Sequence, residues 1–136
     1  MKLSEAAALA VHAVTYLAAH MEETVSVKRM AGAFKRSEAH LSKVLQQLSR
    51  HGLVRGTRGP HGGFRLAALA EETSLLQVVE AMEGPLRVHT CLFDPPVCDG
   101  TACVFGDVLE ESDRRFIEFL AATSVAQSAR TGTFWE

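Results

Sequence analysis

Ser37-Glu38-Ala39-His40-Leu41-Ser42-Lys43-Val44-Leu45-Gln46-Gln47-Leu48-Ser49-Arg50 and, beyond His51-Gly52, Leu53-Val54-Arg55-Gly56-Thr57-Arg58-Gly59-Pro60-His61-Gly62-Gly63-Phe64-Arg65-Leu66 decide the fold. In the first segment Leu41, Val44, Leu45 and Leu48 fall at i, i+3, i+4 and i+7, which predicts an amphipathic helix. Ser37 is placed to cap its start and Gly52 to end it. The other faces carry Ala39, His40, Ser42, Lys43, Gln46, Gln47 and Arg50. In the second segment two short extended pieces flank a turn rich in glycine and proline, the pattern of a hairpin. Just upstream, Ser26 caps a short helix with Val27, Met30, Ala31 and Phe34 on its inner face, and Lys35-Arg36 form a turn. Short helix, turn, amphipathic helix and basic hairpin together predict a winged helix-turn-helix, with Arg58 and His61 at the tip of the wing.

Outward from this centre, residues 3–20 predict a first helix, with Leu3, Ala7, Ala10, Val14 and Leu17 recurring every three or four positions. Met21-Glu22-Glu23-Thr24 is a polar break. Ser74 caps a fourth helix that runs to Met82 and stops at Gly84-Pro85. Residues 86–103 are irregular and rich in turn formers, including Pro95, Pro96 and Gly100. From Val104 to about Gln127 a last helix is predicted, in which Phe105, Leu109, Ser112, Phe116, Phe119 and Thr123 keep the alternating spacing of a coiled-coil seam. A helix of that length needs a partner surface, and a two-fold homodimer supplies one that matches a palindromic DNA site. The expected fold is mainly α: a winged helix-turn-helix with a small β-hairpin wing and a long C-terminal dimerisation helix. It divides into a DNA-binding domain (1–85), a cysteine-containing sensor loop (86–103), the dimerisation helix (104–128) and a polar tail (129–136) expected to be poorly ordered.

Charge is distributed as this reading requires. The 136 residues carry a net charge of −2, which by itself argues against nucleic acid. Between Lys28 and Arg65, however, nine basic residues face Glu38 alone, whereas the rest of the chain has five basic and fifteen acidic residues. One basic module on an acidic remainder is the electrostatic footprint of a protein that meets phosphates with one face. No apolar run approaches the roughly 20 residues of a membrane span, and the charged start Met1-Lys2-Leu3-Ser4-Glu5 does not read as a secretory signal. A cytoplasmic location and no membrane association are expected.

The three cysteines, Cys91, Cys98 and Cys103, are bunched within thirteen positions. An odd count argues against a disulfide framework and fits a reducing compartment. The spacing Cys91-x6-Cys98-x4-Cys103 lacks the short knuckles of structural zinc sites. Three thiolates in an irregular loop can instead hold one face of an iron–sulfur cluster, which takes four ligands. A cluster-free thiol switch is the alternative reading of the same residues. No catalytic constellation surrounds the cysteines, and the loop's acidic character raises thiol pKa values rather than lowering them, so no enzymatic activity is expected.

The sequence resembles the Rrf2 family of bacterial winged-helix transcriptional regulators. The resemblance is carried by Met1-Lys2-Leu3-Ser4, His40-Leu41-Ser42-Lys43-Val44-Leu45, Leu53-Val54, the wing Arg58-Gly59-Pro60-His61-Gly62-Gly63-Phe64-Arg65-Leu66-Ala67, the later Leu76-Gln77-Val78-Val79-Glu80-Ala81 and the cysteine loop. It extends to about Gln127, and the wing motif is its most specific part. The resemblance implies a homodimer joined through the last helix, the third helix and wing on double-stranded operator DNA, and the cysteine loop as sensor. It further implies an iron–sulfur cluster, 2Fe-2S or 4Fe-4S, on Cys91, Cys98 and Cys103.

For the fourth ligand the chain departs from several family patterns. Gly106 stands where one branch has a histidine, and Ala8 where another has a carboxylate supplied by the partner subunit. A third branch uses a carboxylate and a histidine on the first helix, and there His12 matches. His12 reaching across the dimer is the expected ligand, with Glu5, His89, Asp94, Asp99 and Asp107 as the other candidates. On the DNA side, Ser37, His40, Ser42 and Lys43 are expected to read bases, followed by Gln46 and Gln47. Arg58 is expected to enter the minor groove, and Lys28, Arg50, Arg55 and His61 to touch phosphates. Repression of transcription under iron, redox or nitric oxide control is the expected output.

Overall fold

A computed structural model describes residues 2–131. The chain forms helix α1 (Glu5–Ala19), α2 (Val27–Phe34), α3 (Glu38–Arg50), strands β1 (Val54–Thr57) and β2 (Gly63–Leu66), then α4 (Leu75–Glu83), α5 (Val108–Ala122) and α6 (Val125–Thr131). The first four helices start on serine caps. Ser4, Ser26, Ser37 and Ser74 each accept a hydrogen bond from the backbone N–H three residues on, satisfying a donor that the helix itself leaves open.

Helix α1 is the hub, in contact with α3, α4 and α6. Its small residues Ala7, Ala10 and Ala13 are fully buried, so the neighbouring backbones approach closely, while Val14 and Leu17 fill the space between them. Leu41, Leu45 and Leu48 of α3 are also completely buried, on the face that the heptad-like spacing predicted. Cutting any one of them back to alanine costs about 2–5 kcal/mol. Between α2 and α3 the chain turns on Lys35, which adopts a left-handed conformation with φ 53°, and the Arg36 N–H bonds back to the Ala31 carbonyl. That turn sets the angle at which α3 leaves the body of the domain.

The wing is an antiparallel hairpin in which Val54 pairs with Leu66 and Thr57 with Gly63. It does not stand alone. Phe64 exchanges backbone hydrogen bonds with Val25 (3.0 and 2.8 Å), so the residue preceding the α2 cap acts as a third rung. The close approach explains the paired glycines. A Cβ on Gly63 would lie 2.2 Å from the Val25 carbonyl oxygen, and one on Gly62 would lie 2.4 Å from the Thr57 carbonyl oxygen.

The C-terminal region differs from the single helix expected over residues 104–128. The helix starts only at Val108 and breaks at Thr123–Ser124, with α6 folding back onto α1. The break has a local cause. Ser124 Oγ accepts from the Gln127 N–H (3.1 Å) and Gln127 Oε1 accepts from the Ser124 N–H (2.9 Å), a capping box that restarts the helix. The extended link is held from outside as well, because the Leu75 N–H donates to Thr123 O (2.9 Å) and the Val125 N–H to Thr73 O (2.8 Å). Ala129, Arg130 and Thr131, expected in the tail, belong to α6, and the remainder of that tail, residues 132–136, lies outside the described residues.

Candidate nucleic-acid interface and cysteine loop

Helix α3 and the wing form an open cleft. Ser42, Gln46, Ser49 and Arg50 line one side of it, and Gly56, Thr57, Arg58 and Gly59 line the other. The helix supplies this wall because its buried stripe points inward to α1 and α4, leaving the opposite face to solvent. Ser42, Arg50 and Arg58 were expected here. Ser49 and Thr57 were not, since nothing in a linear pattern reveals that the wing folds beside the end of α3.

The basic residues of the module divide into two groups. Arg29 donates to Glu23 at 2.8 Å and lies over the Tyr16 ring at 5.7 Å, Arg36 pairs with Glu5 at 3.2 Å, and Arg65 donates to the Met21 carbonyl at 2.9 Å. These three side chains are engaged within the fold. Lys28, Lys43, Arg50, Arg55 and Arg58 are exposed and have no carboxylate partner among the described residues. His61 is exposed at the wing tip. At the start of α3, Ser37 Oγ is engaged as the cap acceptor of the His40 N–H, and the half-buried His40 lies at the flank of the exposed face. Gln47 is turned away from the cleft, where its Nε2 donates to the Ala81 carbonyl of α4 (2.8 Å). It ties α3 to α4 and is not placed to read a base.

Between α4 and α5 the chain runs without regular structure. Cys91 and Cys103 are half-buried, Cys98 is exposed, and all three are free thiols. Among the described residues no three histidine, cysteine, aspartate or glutamate side chains converge as ligands of a single ion. Around them the loop exposes Leu92, Phe93, Val97 and Val104, the last at 92%. At its base, His89 is pinned twice to one carboxylate oxygen of Asp113 on α5. The backbone N–H donates at 2.9 Å and ring Nδ1 lies at 2.7 Å. Burial pushes the Asp113 carboxyl up, but the two bonds from His89 and the positive charge of the chain's N-terminus oppose it, and the group lies below the ordinary carboxylate range.

The other candidate ligands are placed as follows. Glu5 is occupied by Arg36, and Asp99 caps its own turn by accepting from Thr101 N and Oγ1 (3.0 and 2.8 Å). Asp107 sits at the start of α5 without a side-chain cap bond, and Asp94 lines a small cavity together with His89 and Cys91. His12 bonds through Nδ1 to the Ala8 carbonyl (2.6 Å) and meets the Phe34 ring edge-on. It lines a hollow between α1 and α2 with Glu5, Ala8, Phe34 and Arg36, away from its own chain's cysteines.

Over residues 3–131 the sequence matches Rrf2, described as an iron-dependent transcriptional regulator. The chain belongs to the Rrf2 family. A curated relative, the HTH-type transcriptional regulator NsrR of Geobacillus kaustophilus (strain HTA426), is 33% identical over 111 residues, covering 77% of this chain and 73% of the relative. Among solved structures, CymR, the global cysteine regulator of B. subtilis, superposes with a TM-score of 0.79 at 21% identity, covering 97% of this chain and 98% of that one. IscR of T. potens gives 0.73 at 26% identity, over 96% and 88%. Rrf2 proteins are DNA-binding transcriptional regulators, not enzymes, and the mainly helical winged-helix architecture is shared with these neighbours. No helix among the described residues is long and apolar enough to cross a membrane.

The donor set of the Rrf2 loop suits an iron–sulfur cluster. Three thiols, none tied up in a disulfide, sit on one segment whose backbone has no helix or sheet to break when it wraps a ligand.

Proposed function

We propose that this protein is a dimeric repressor whose operator affinity is set by an iron–sulfur cluster on Cys91, Cys98 and Cys103. The observation that carries the reading is the placement of three free thiols on the one loop that joins α4 to α5. The fourth position falls to a histidine. Among the candidate ligands the histidines are His12 of the partner subunit and His89 of the same loop, each with Nδ1 held by a hydrogen bond. When bound, the cluster supplies a centre whose oxidation state and integrity respond to iron, oxidants or nitric oxide.

The rest is done by the chain itself. Helix α3 enters the major groove with Ser42 and Lys43 toward base edges, and Ser37, His40 and Gln46 beside them. Arg58 enters the minor groove from the wing. Lys28, Arg50, Arg55 and His61 hold phosphates and fix the register. The apolar residues left exposed on α5, Val108 and Phe119 at 58% each, are covered by the second subunit. The two recognition helices then lie about one DNA turn apart, roughly 34–36 Å, a spacing that tolerates little error. Because the loop ends on α5, a change in its shape alters that spacing without the loop touching DNA.

Anaerobic purification followed by a visible spectrum, iron and sulfide analysis, and binding to the chain's own upstream DNA tests the reading. A coloured protein whose operator affinity changes on cluster loss is expected. A colourless, iron-free protein whose affinity instead follows thiol oxidation overturns it in favour of a thiol switch.

A further inference from the structure

Resting on the cluster reading above, we infer that the fourth ligand is His89, from the same loop as the cysteines, and that Asp113 is the residue that positions it.

His89 lies two residues before Cys91, and the two side chains line the same small cavity. Its ring is not a free rotor. Asp113 Oδ2 takes both its backbone N–H and ring Nδ1, so main chain and imidazole are held against one oxygen. In the neutral ring with Nδ1 donating to the carboxylate, Nε2 is the nitrogen that can bind a metal. The side chain is 56% exposed while that of Asp113 is only 6% exposed, so the ring projects outward from a buried anchor. Carboxylate, imidazole and open nitrogen in this order are the arrangement by which proteins orient metal-bound histidines and raise their donor strength.

Asp113 is buried on α5, so the loop's histidine is held against a helix of the fold rather than against another loop residue. His12 has a comparable bond, to the Ala8 carbonyl, but its hollow is lined by residues of α1 and of α2 and its following turn, and by no cysteine. His12 therefore needs the partner subunit to bring a loop to it, whereas His89 is already on the cysteine loop. Imidazole in place of a fourth thiolate also raises a cluster's reduction potential, which suits a sensor that must be reduced inside the cell and oxidised on stress.

The test uses full-length dimer reconstituted anaerobically with ferrous iron and sulfide, with all histidines labelled with nitrogen-15. Pulsed electron paramagnetic resonance of the reduced cluster is expected to show one strongly coupled imidazole nitrogen. That signal should vanish in His89→Ala and persist in His12→Ala. His89→Cys should restore cluster content with an altered visible spectrum, which separates loss of a ligand from loss of folding. Asp113→Asn should keep the coupled nitrogen but lower iron affinity by about 10–100-fold. A coupling that survives His89→Ala, that disappears in His12→Ala, or that is missing from a wild-type cluster overturns the assignment and leaves the cluster reading standing. A wild type that takes up no iron and sulfide overturns both.

Discussion

At Gly63 an added methyl group would sit 2.2 Å from a backbone oxygen that is itself bonded to the Phe64 N–H, so neither partner can move without breaking the wing's third rung. Gly63→Ala is therefore expected to destabilise the protein by about 1–3 kcal/mol, as overpacking does, read as a lower urea midpoint. Gly32 is the contrast. It lies in the exposed part of α2 with nothing near its missing Cβ, and Gly32→Ala should raise stability by about 0.5–1 kcal/mol through helix propensity. The basic residues differ among themselves in the same way. Arg58→Ala should weaken operator binding and reduce the salt dependence by about one unit in log–log slope, measured by anisotropy titration at several salt concentrations. Arg65→Ala, which loses the bond to Met21, should lower thermal stability and leave that slope nearly unchanged. Charge counting along the sequence found the basic module but treated Arg29, Arg36 and Arg65 like the rest. Their partners Glu23, Glu5 and the Met21 carbonyl are identified by folding, not by any local pattern.

Elements with a serine cap and a clear apolar stripe were legible in the sequence, which is why α2, α3 and α4 begin where Ser26, Ser37 and Ser74 predict. The break between α5 and α6 was legible too, in a signal the periodicity overrode. Ser124-x-x-Gln127 repeats Ser74-x-x-Gln77, the capping box that opens α4, and the two serines pair across the fold. A seam reading of residues 105–123 favours continuity because Phe116, Phe119 and Thr123 keep their spacing right up to the break, where Thr123 caps α5 and Ser124 restarts the chain as α6. Ser124→Ala should cost about 1 kcal/mol, observed as a lower melting temperature. On α5 the exposed apolar residues Val108 and Phe119 are expected to lie at the subunit interface. Phe119→Glu should leave the helical circular dichroism of the domain intact and shift the sedimentation profile from dimer to monomer.

For the molecule as a whole, the sequence separates a basic module from an acidic remainder, and folding pairs Arg29 and Arg36 of that module with Glu23 and Glu5 while leaving Lys28, Lys43, Arg50, Arg55 and Arg58 exposed. The cysteines were legible as a cluster in sequence. Their relation to α5 was not, because the His89–Asp113 contact spans 24 residues and pairs a loop with a helix face. Removing iron with a chelator, or replacing any of the three cysteines with alanine, should change operator affinity by about 5–150-fold, the usual range of coupling between two sites; mobility shift under anaerobic conditions reads it. Helices α4 and α5 pack against each other and are joined at one end by the backbone bonds around Ser74 and Ser124. At the other end the cysteine loop and the His89 clasp connect them, and the Ser4 N–H bonds to Glu83 at the end of α4. The pair is thus a set of tongs with its fulcrum at the two serines. With α5 about 22 Å long at 1.5 Å per residue, travel is greatest at the Val108 tip and falls to nothing at the rivet, beyond which α6 rests on α1. If the proposed dimer forms through Val108 and Phe119, a squeeze at the jaws is expected to swing that contact while α1 stays still.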